Sequence, residues 1–376
     1  MQIYLDNAAS TRPLPAVTRL AAELESRFYA NDSAAHRMGV EASRKTEEAR
    51  AALAGLLGAE PDEIVFTSGG TEANNLALLG AWTARRKGAD RLVISAVEHS
   101  SVFNAAMRLK REGAEVAIVR PGPGGLVDPA ELARAAGRKA FLVSVIHASN
   151  ETGAVQPVAD LAAACRASGA LFHTDACQSF TKLPLSAAGR GPDLITVNAH
   201  KLHGPKGVGA LYIRKGARLR PLAEGGGHER GLRPGTRNTP GIAAFALAAR
   251  LSAGAGTARL LALDKLFRYE LSRALPSARL NCPAAPRLPG LLSVTLPGIA
   301  SASAAVRALS DRGVFVSAGS ACSAGSTAPS RALLGFGLRG EEARRTLRVS
   351  FGRFNTRPEV LAAVRELASY AGKYGA

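Results

Sequence analysis

The sequence predicts an α/β fold: a mostly parallel sheet covered by helices on both faces, followed by a smaller α/β unit. Three observations predict it. From residue 63 to residue 213, short β-branched apolar runs alternate with helical stretches, the pattern of a parallel sheet. At 376 residues the chain exceeds one small domain, so one large and one smaller unit are expected, each with a sizeable core. After Ile213 the character changes to a polar, glycine-rich segment and then to a second set of helices and strands.

The elements follow in order. Residues 13–29 read as a helix behind Pro13 and Pro15, and 41–57 as an amphipathic helix stopped by Gly58. A strand at 63–67 leads through Ser68, Gly69, Gly70 and Thr71 into a helix at 72–86. Strands at 91–96, 115–120, 140–146 and 170–174 are each preceded or followed by helices, at 100–112, 128–136 and 158–168. Residues 193–214 read as strand, short loop, strand, with Lys201 in the loop and the turn residues Gly204, Pro205 and Gly207 behind it. Beyond the glycine-rich segment, helices are expected at 242–252 and 260–275, the second linking two domains. Strands at 291–296 and 314–317 and helices at 302–312 and 358–370 complete the smaller unit.

Composition narrows the function. Apolar residues make up 47% of the chain, and no run reaches membrane-span length. The opening MQIYLDNAAST lacks the regions of a signal peptide. The four cysteines, Cys165, Cys177, Cys282 and Cys322, show no CxxC spacing, which argues against a zinc site or a disulfide framework and for a reducing, cytoplasmic setting. A net charge of +18 could serve nucleic acid, but the arginines are dispersed and aromatics are 5%, so neither a specific nucleic-acid partner nor a membrane is expected.

In parallel sheets ligands collect at the carboxyl ends of strands, and those ends carry the chemistry here. The TSGGT loop could cradle an anion through backbone N–H groups at a helix N-terminus; an ordinary glycine turn reads the same way. It lacks the GxxxxGK[ST] spacing of a P-loop. His99 could stack on a ring or move a proton, or be a structural imidazole. Residues 147–151, HASNE, are suited to orienting a ligand. Asp175 could pair with a cationic ring nitrogen or cap a helix. Lys201, held at a strand end, suits Schiff-base chemistry with an aldehyde, because a desolvated amine is nucleophilic. Each residue is weak evidence alone, but in this order they are the parts of a pyridoxal phosphate site. Cys322 lies among small residues, SAGSACSAGS, in a segment with little bulk to pin it, where a thiolate would be accessible.

These residues sit in motifs that resemble the cysteine desulfurases of the class V aminotransferase family, the long catalytic-loop group of fold type I. The motifs are YLDNAAST (4–11), FTSGGTEANN (66–75), EHSSV (98–102), HASNETGAVQP (147–157), HTDACQS (173–179), AHKLHGPKG (199–207), GGGHERGLRPGT (225–236), SAGSACSAG (317–325) and RVSFGRF (348–354). The resemblance implies a large domain at 13–257 with a mostly parallel seven-stranded sheet. It implies a small domain at 1–12 and 258–376 carrying the catalytic cysteine loop. Lys201 would hold pyridoxal 5'-phosphate, Asp175 would pair with its ring nitrogen, and His99 would stack on the ring. Gln178 and Asn150 would sit near its phenolic oxygen, and Gly70, Thr71, Asn198 and His200 around its phosphate. Thr236 is similar to a residue that reaches the partner subunit's phosphate, which implies a homodimer. Arg353, with Asn150, would hold the substrate carboxylate. Cys322 would take sulfur from L-cysteine as a persulfide and pass it to an acceptor protein of iron–sulfur cluster assembly or thiolation.

Three features depart from the family pattern. Asn198 stands where serine is usual. Asp32 takes the proline position in NDSAAH (31–36), and the sequence ends soon after the 358–370 helix, shorter than members that dock a scaffold through their tails. Selenocysteine lyase, or another pyridoxal phosphate lyase or aminotransferase of the same fold, is the nearest alternative expectation. A basic scaffold without catalysis is the rival from another class, and the Lys201–Asp175–Cys322 set argues against it.

Overall fold

The seven strands of the main sheet lie in the spatial order Ile64–Thr67, Gly209–Ile213, Leu194–Asn198, Leu171–Asp175, Ala140–Ser144, Arg91–Ser95, Glu115–Val119. This is a computed structural model, and it describes residues 2–282, 285–319 and 328–374. Neighbouring strands run parallel except Gly209–Ile213, which is antiparallel to both of its neighbours. The central strands are buried at every position, because helices cover both faces. Glu115–Val119, at the edge, is half exposed.

The helices form where the sequence dictates. Arg37–Leu57 buries Ala49, Leu53 and Leu57, four residues apart and so on one face, against the Thr239–Ser252 helix. Each leucine there contributes about 1.5–3 kcal/mol by burial. Gly58 ends the helix at φ 65, the left-handed conformation that favours glycine. The helix starts four residues earlier than expected, because the His36 ring accepts a hydrogen bond from the Gly39 amide and caps it. The first helix is Pro15–Arg27, with Pro15 just inside its start.

A second, antiparallel sheet has the order Thr346–Ser350, Leu291–Thr295, Arg279–Leu280, and Ile3–Tyr4 pairs in parallel with Val314–Phe315. Its core joins the two ends of the chain: Ile3 and Leu5 pack with Phe267, Val349, Val360 and Leu367. The Thr257–Ala274 helix leads into it. Thr346–Ser350 and the short helices Arg331–Gly335 and Gly340–Arg344 were not expected from sequence. The strand hides behind a buried arginine, Arg348, and five-residue helices are too short to show periodicity.

The glycine-rich segment is held to the main sheet by buried charge. Glu229 accepts from Arg50 at 2.7 and 2.8 Å and from the Phe66 amide at 2.8 Å. Asp32 lies 2.6 Å from the Arg237 guanidinium, so the unusual residue at this position has a partner in the 225–238 segment. Removing one partner of a buried pair strands the other charge, so Glu229→Gln should cost about 3 kcal/mol in urea unfolding. Burial pushes the Glu229 carboxyl up, but Arg50 and the Phe66 amide outweigh it and hold the carboxyl below its ordinary value. Its stabilisation is therefore complete above the ordinary glutamate range and is lost as pH falls below it.

Candidate active site

Asp175 ends its strand in the middle of the sheet and is buried. Its carboxylate accepts from Asn74 Nδ2 at 2.7 Å and from the Cys177 amide at 2.9 Å. Burial resists ionisation here, but His99, the Cys177 amide, Lys201 and Asn74 together hold the carboxyl below its ordinary range. Both of its hydrogen-bond donors are neutral, so this anion is open to a cationic N–H.

His99 caps the Ser100–Arg111 helix beyond the end of the Arg91–Ser95 strand, two strands along from that of Asp175. The Ser101 amide donates to His99 Nδ1 at 3.2 Å, which leaves the ring hydrogen on Nε2. Burial, with the Lys201 ammonium second, holds this imidazole down at about 4, so it is neutral at ordinary pH. His200, beside Lys201, is held at about 4 for the same two leading reasons. Its carbonyl accepts from the Thr11 amide and hydroxyl at 2.8 and 2.7 Å, and these bonds fix the turn carrying Lys201. Lys201 is partly buried and lines a cleft with Ala8 and Gln178.

The TSGGT loop closes tightly over the Asn198 strand end. Gly69 sits at φ 154, ψ −178, a conformation reserved for glycine. A side chain at Gly70 would come within 2.5 Å of Cys177 Sγ and 3.4 Å of Asn198 Nδ2. Gly70 begins a 15-residue helix, and Thr71 is exposed on its first turn. Asn198 is buried with Oδ1 unpartnered, as is Gln178 Oε1, whereas Gln178 Nε2 donates to the Ala8 carbonyl at 2.7 Å.

Arg348, which sequence reasoning passed over, is buried and donates to the Asn150 carbonyl at 2.9 Å and to Asp6 at 2.7 Å. Its Nε has no partner. A periodic alternation read for polarity treats an arginine as outward-facing, so only its place in the RVSFGRF motif signalled it. Arg353, the residue expected to hold the substrate carboxylate, is exposed and gives Nη1 to the Leu251 carbonyl at 3.0 Å. It lines the Lys201 cleft, whereas Arg348 is the arginine bonded to Asn150.

Cys322 lies outside the described residues. The residues on either side of 320–327 are described, and they meet the site. Ser317 and Arg348 exchange backbone hydrogen bonds at 3.1 and 2.7 Å, and Ser330 donates to Glu151 at 2.5 Å. Thr236 is exposed and, among the described residues, makes no hydrogen bond to the Lys201 set.

With this geometry in hand, comparison with known proteins decides the family. The model of the aminotransferase class-V family matches residues 3–362. The chain belongs to the class-V aminotransferases. It is similar to "Cysteine desulfurase IscS" from Anaeromyxobacter sp. (strain Fw109-5), with 40% identity over 96% of this chain and 91% of that one. A solved "NifS-like protein" superposes with a TM-score of 0.92 at 33% identity, covering 99% of this chain and all of the other. "SspA in complex with cysteine" superposes with a TM-score of 0.83 at 35% identity, covering 94% and 100%.

Class-V aminotransferases depend on pyridoxal phosphate, and the site of this one fits that group. A buried anion with neutral donors suits a protonated ring nitrogen. The unpartnered Asn198 and Gln178 oxygens and the close approach at Gly70 suit a polar ligand laid across the strand ends. Lys201, His99, Asp175, Gln178, Thr71, Asn198 and His200 would hold it.

Proposed function

We propose that this class-V aminotransferase is a cysteine desulfurase that converts L-cysteine to L-alanine, with Cys322 taking the sulfur as a persulfide. The observation that supports it most is the attachment of both flanks of the 320–327 segment beside Arg348 and Asn150. A thiol on that segment would work within reach of a substrate held by its carboxylate.

Bound pyridoxal phosphate supplies an electron sink for the charge left at the substrate Cα. The remaining work belongs to the chain. Asp175 holds the negative charge that keeps a ring nitrogen protonated. Lys201 Nζ, once free, removes the Cα proton and returns a proton on the way to alanine. His99, neutral with its hydrogen on Nε2, can donate that N–H to the substrate sulfur. Cys322 attacks the substrate sulfur as thiolate: an S–S bond forms and the Cβ–S bond breaks, and its electron pair returns to carbon with a proton. L-cysteine plus a protein thiol thus balances to L-alanine plus a protein persulfide.

Arg348 would grip the α-carboxylate. A charge-assisted hydrogen bond of about 1.5–3 kcal/mol corresponds to a rise of roughly 10–100-fold in KM for Arg348→Gln, and Arg353→Gln should move KM less. Thermal midpoints and cofactor content, measured alongside, separate lost binding from lost folding.

A second copy of the chain is proposed to complete the phosphate end through Thr236, with a sulfur-acceptor protein as the downstream partner. A fully active monomer in light scattering would remove the dimer from this reading. The function itself is tested by adding L-cysteine and assaying alanine and protein-bound sulfane sulfur together. Equal amounts support desulfuration; pyruvate in place of alanine would assign a different lyase reaction.

A further inference from the structure

Beside Lys201 the cleft runs on between the two sheets as a cavity of about 280 Å³. That is at the small end of ligand pockets, which start at roughly 300 Å³. Its lining includes Lys182, Lys201, Arg259 and Arg353 and no aspartate or glutamate. Lys182 makes no ion pair and no side-chain hydrogen bond with any described residue. Burial, and then the Lys201 ammonium, hold it down at about 8. The two guanidinium groups donate to neutral carbonyls: Arg259 to Asn355 at 2.6 Å and Arg353 to Leu251 at 3.0 Å.

The backbone is strained to present Lys182. Thr181, just before it, has a φ of 68, a left-handed conformation that a β-branched residue rarely adopts. Thr181 Oγ1, a hydroxyl that can donate, also borders this region without a partner. Unpaired cations and an unused hydroxyl donor around a cavity are unfavourable unless an acceptor enters that satisfies them. Leu260, Leu288, Leu291 and Phe351 add an apolar stretch to a lining that also holds Asn7, Thr11 and Ser252, which favours an anion with a short alkyl part over an inorganic one.

We propose that this cleft binds a small organic carboxylate at Lys182, with Arg259 and Arg353 at its mouth, beside the reacting centre and separate from it. The inference rests on the function above only in that Lys201 and Gln178 border both sites.

Propionate is the probe, and the holoenzyme is labelled with a succinimidyl ester and read by mass spectrometry. Propionate should slow labelling of Lys182 by about tenfold relative to the exposed Lys215, and chloride at the same concentration should not. Titration calorimetry should show propionate binding in the wild type and its loss in Lys182→Met. Lys182→Met should melt no lower than wild type, because it removes an unpaired ammonium. Should that variant fail to fold, Arg259→Gln should bind propionate at least about tenfold more weakly. Unchanged Lys182 labelling, equal protection by chloride, or wild-type propionate binding in the variants overturns the site. Cofactor content and L-cysteine turnover on the same preparation keep the two readings apart: protection without turnover removes the desulfurase and leaves the carboxylate site standing.

Discussion

Lys201→Ala should abolish covalent attachment of pyridoxal phosphate and lower turnover of L-cysteine by at least about a thousandfold, within the range that a positioned acid–base group supplies. Two lysines line the cleft, Lys201 and Lys182, and burial holds the Lys182 amine down at about 8. Position decides between them. The Lys201 charge acts directly on Asp175 and on His99, the two groups expected to meet the ring, whereas Lys182 acts on His200 and His203. Lys201 also stands on a turn fixed by Thr11 at the end of the Leu194–Asn198 strand, while Lys182 follows a strained residue outside any strand. Borohydride reduction, proteolysis and peptide mapping should therefore place the cofactor on Lys201. Cofactor on Lys182 would overturn the assignment and, with it, the proposed carboxylate site.

Lys201 could be read from sequence because its chemistry sits where a parallel sheet puts its ligands. Asp175, His99, Asn150 and Lys201 each follow a β-branched apolar run by a few residues, so the strand pattern also located the site. The antiparallel Gly209–Ile213 strand, inserted between Ile64–Thr67 and Leu194–Asn198, could not be read that way, because spatial order depends on pairing that sequence spacing does not encode. The same limit hid Arg348. Its strand, Thr346–Ser350, is buried at all five positions, and an arginine at its centre breaks the apolar run that would have marked it. Only the fold shows that Asp6, from the start of the chain, and Asn150, from the loop after Ala140–Ser144, come together around that buried guanidinium. Arg353, five residues on, is singled out by the family resemblance, and the fold leaves it exposed.

Cys322→Ser should keep the cofactor and still bind L-cysteine, because Lys201, Asp175 and Arg348 are untouched, yet desulfuration should fall by at least about a thousandfold. The other three cysteines are poorly placed for the role. Cys165 is buried in an apolar cluster, and burial pushes its thiol up to about 12. Cys177 is buried against Gly70, and burial, with the Asp175 charge second, raises its thiol well above the ordinary value. Burial also raises the Cys282 thiol. A thiol held in its protonated form is a poor nucleophile toward sulfur, since attack needs the thiolate. The 320–327 segment differs in what flanks it: Ser317 is hydrogen-bonded to Arg348, and Ser330 to the buried Glu151 next to Asn150. Both attachments therefore lie at the proposed carboxylate grip. Mass spectrometry after brief exposure to L-cysteine, before any reductant, should find the added sulfur on Cys322. Sulfur found mainly on Cys165, Cys177 or Cys282, or undiminished turnover in Cys322→Ser, would leave the fold and the cofactor in place and remove the persulfide route.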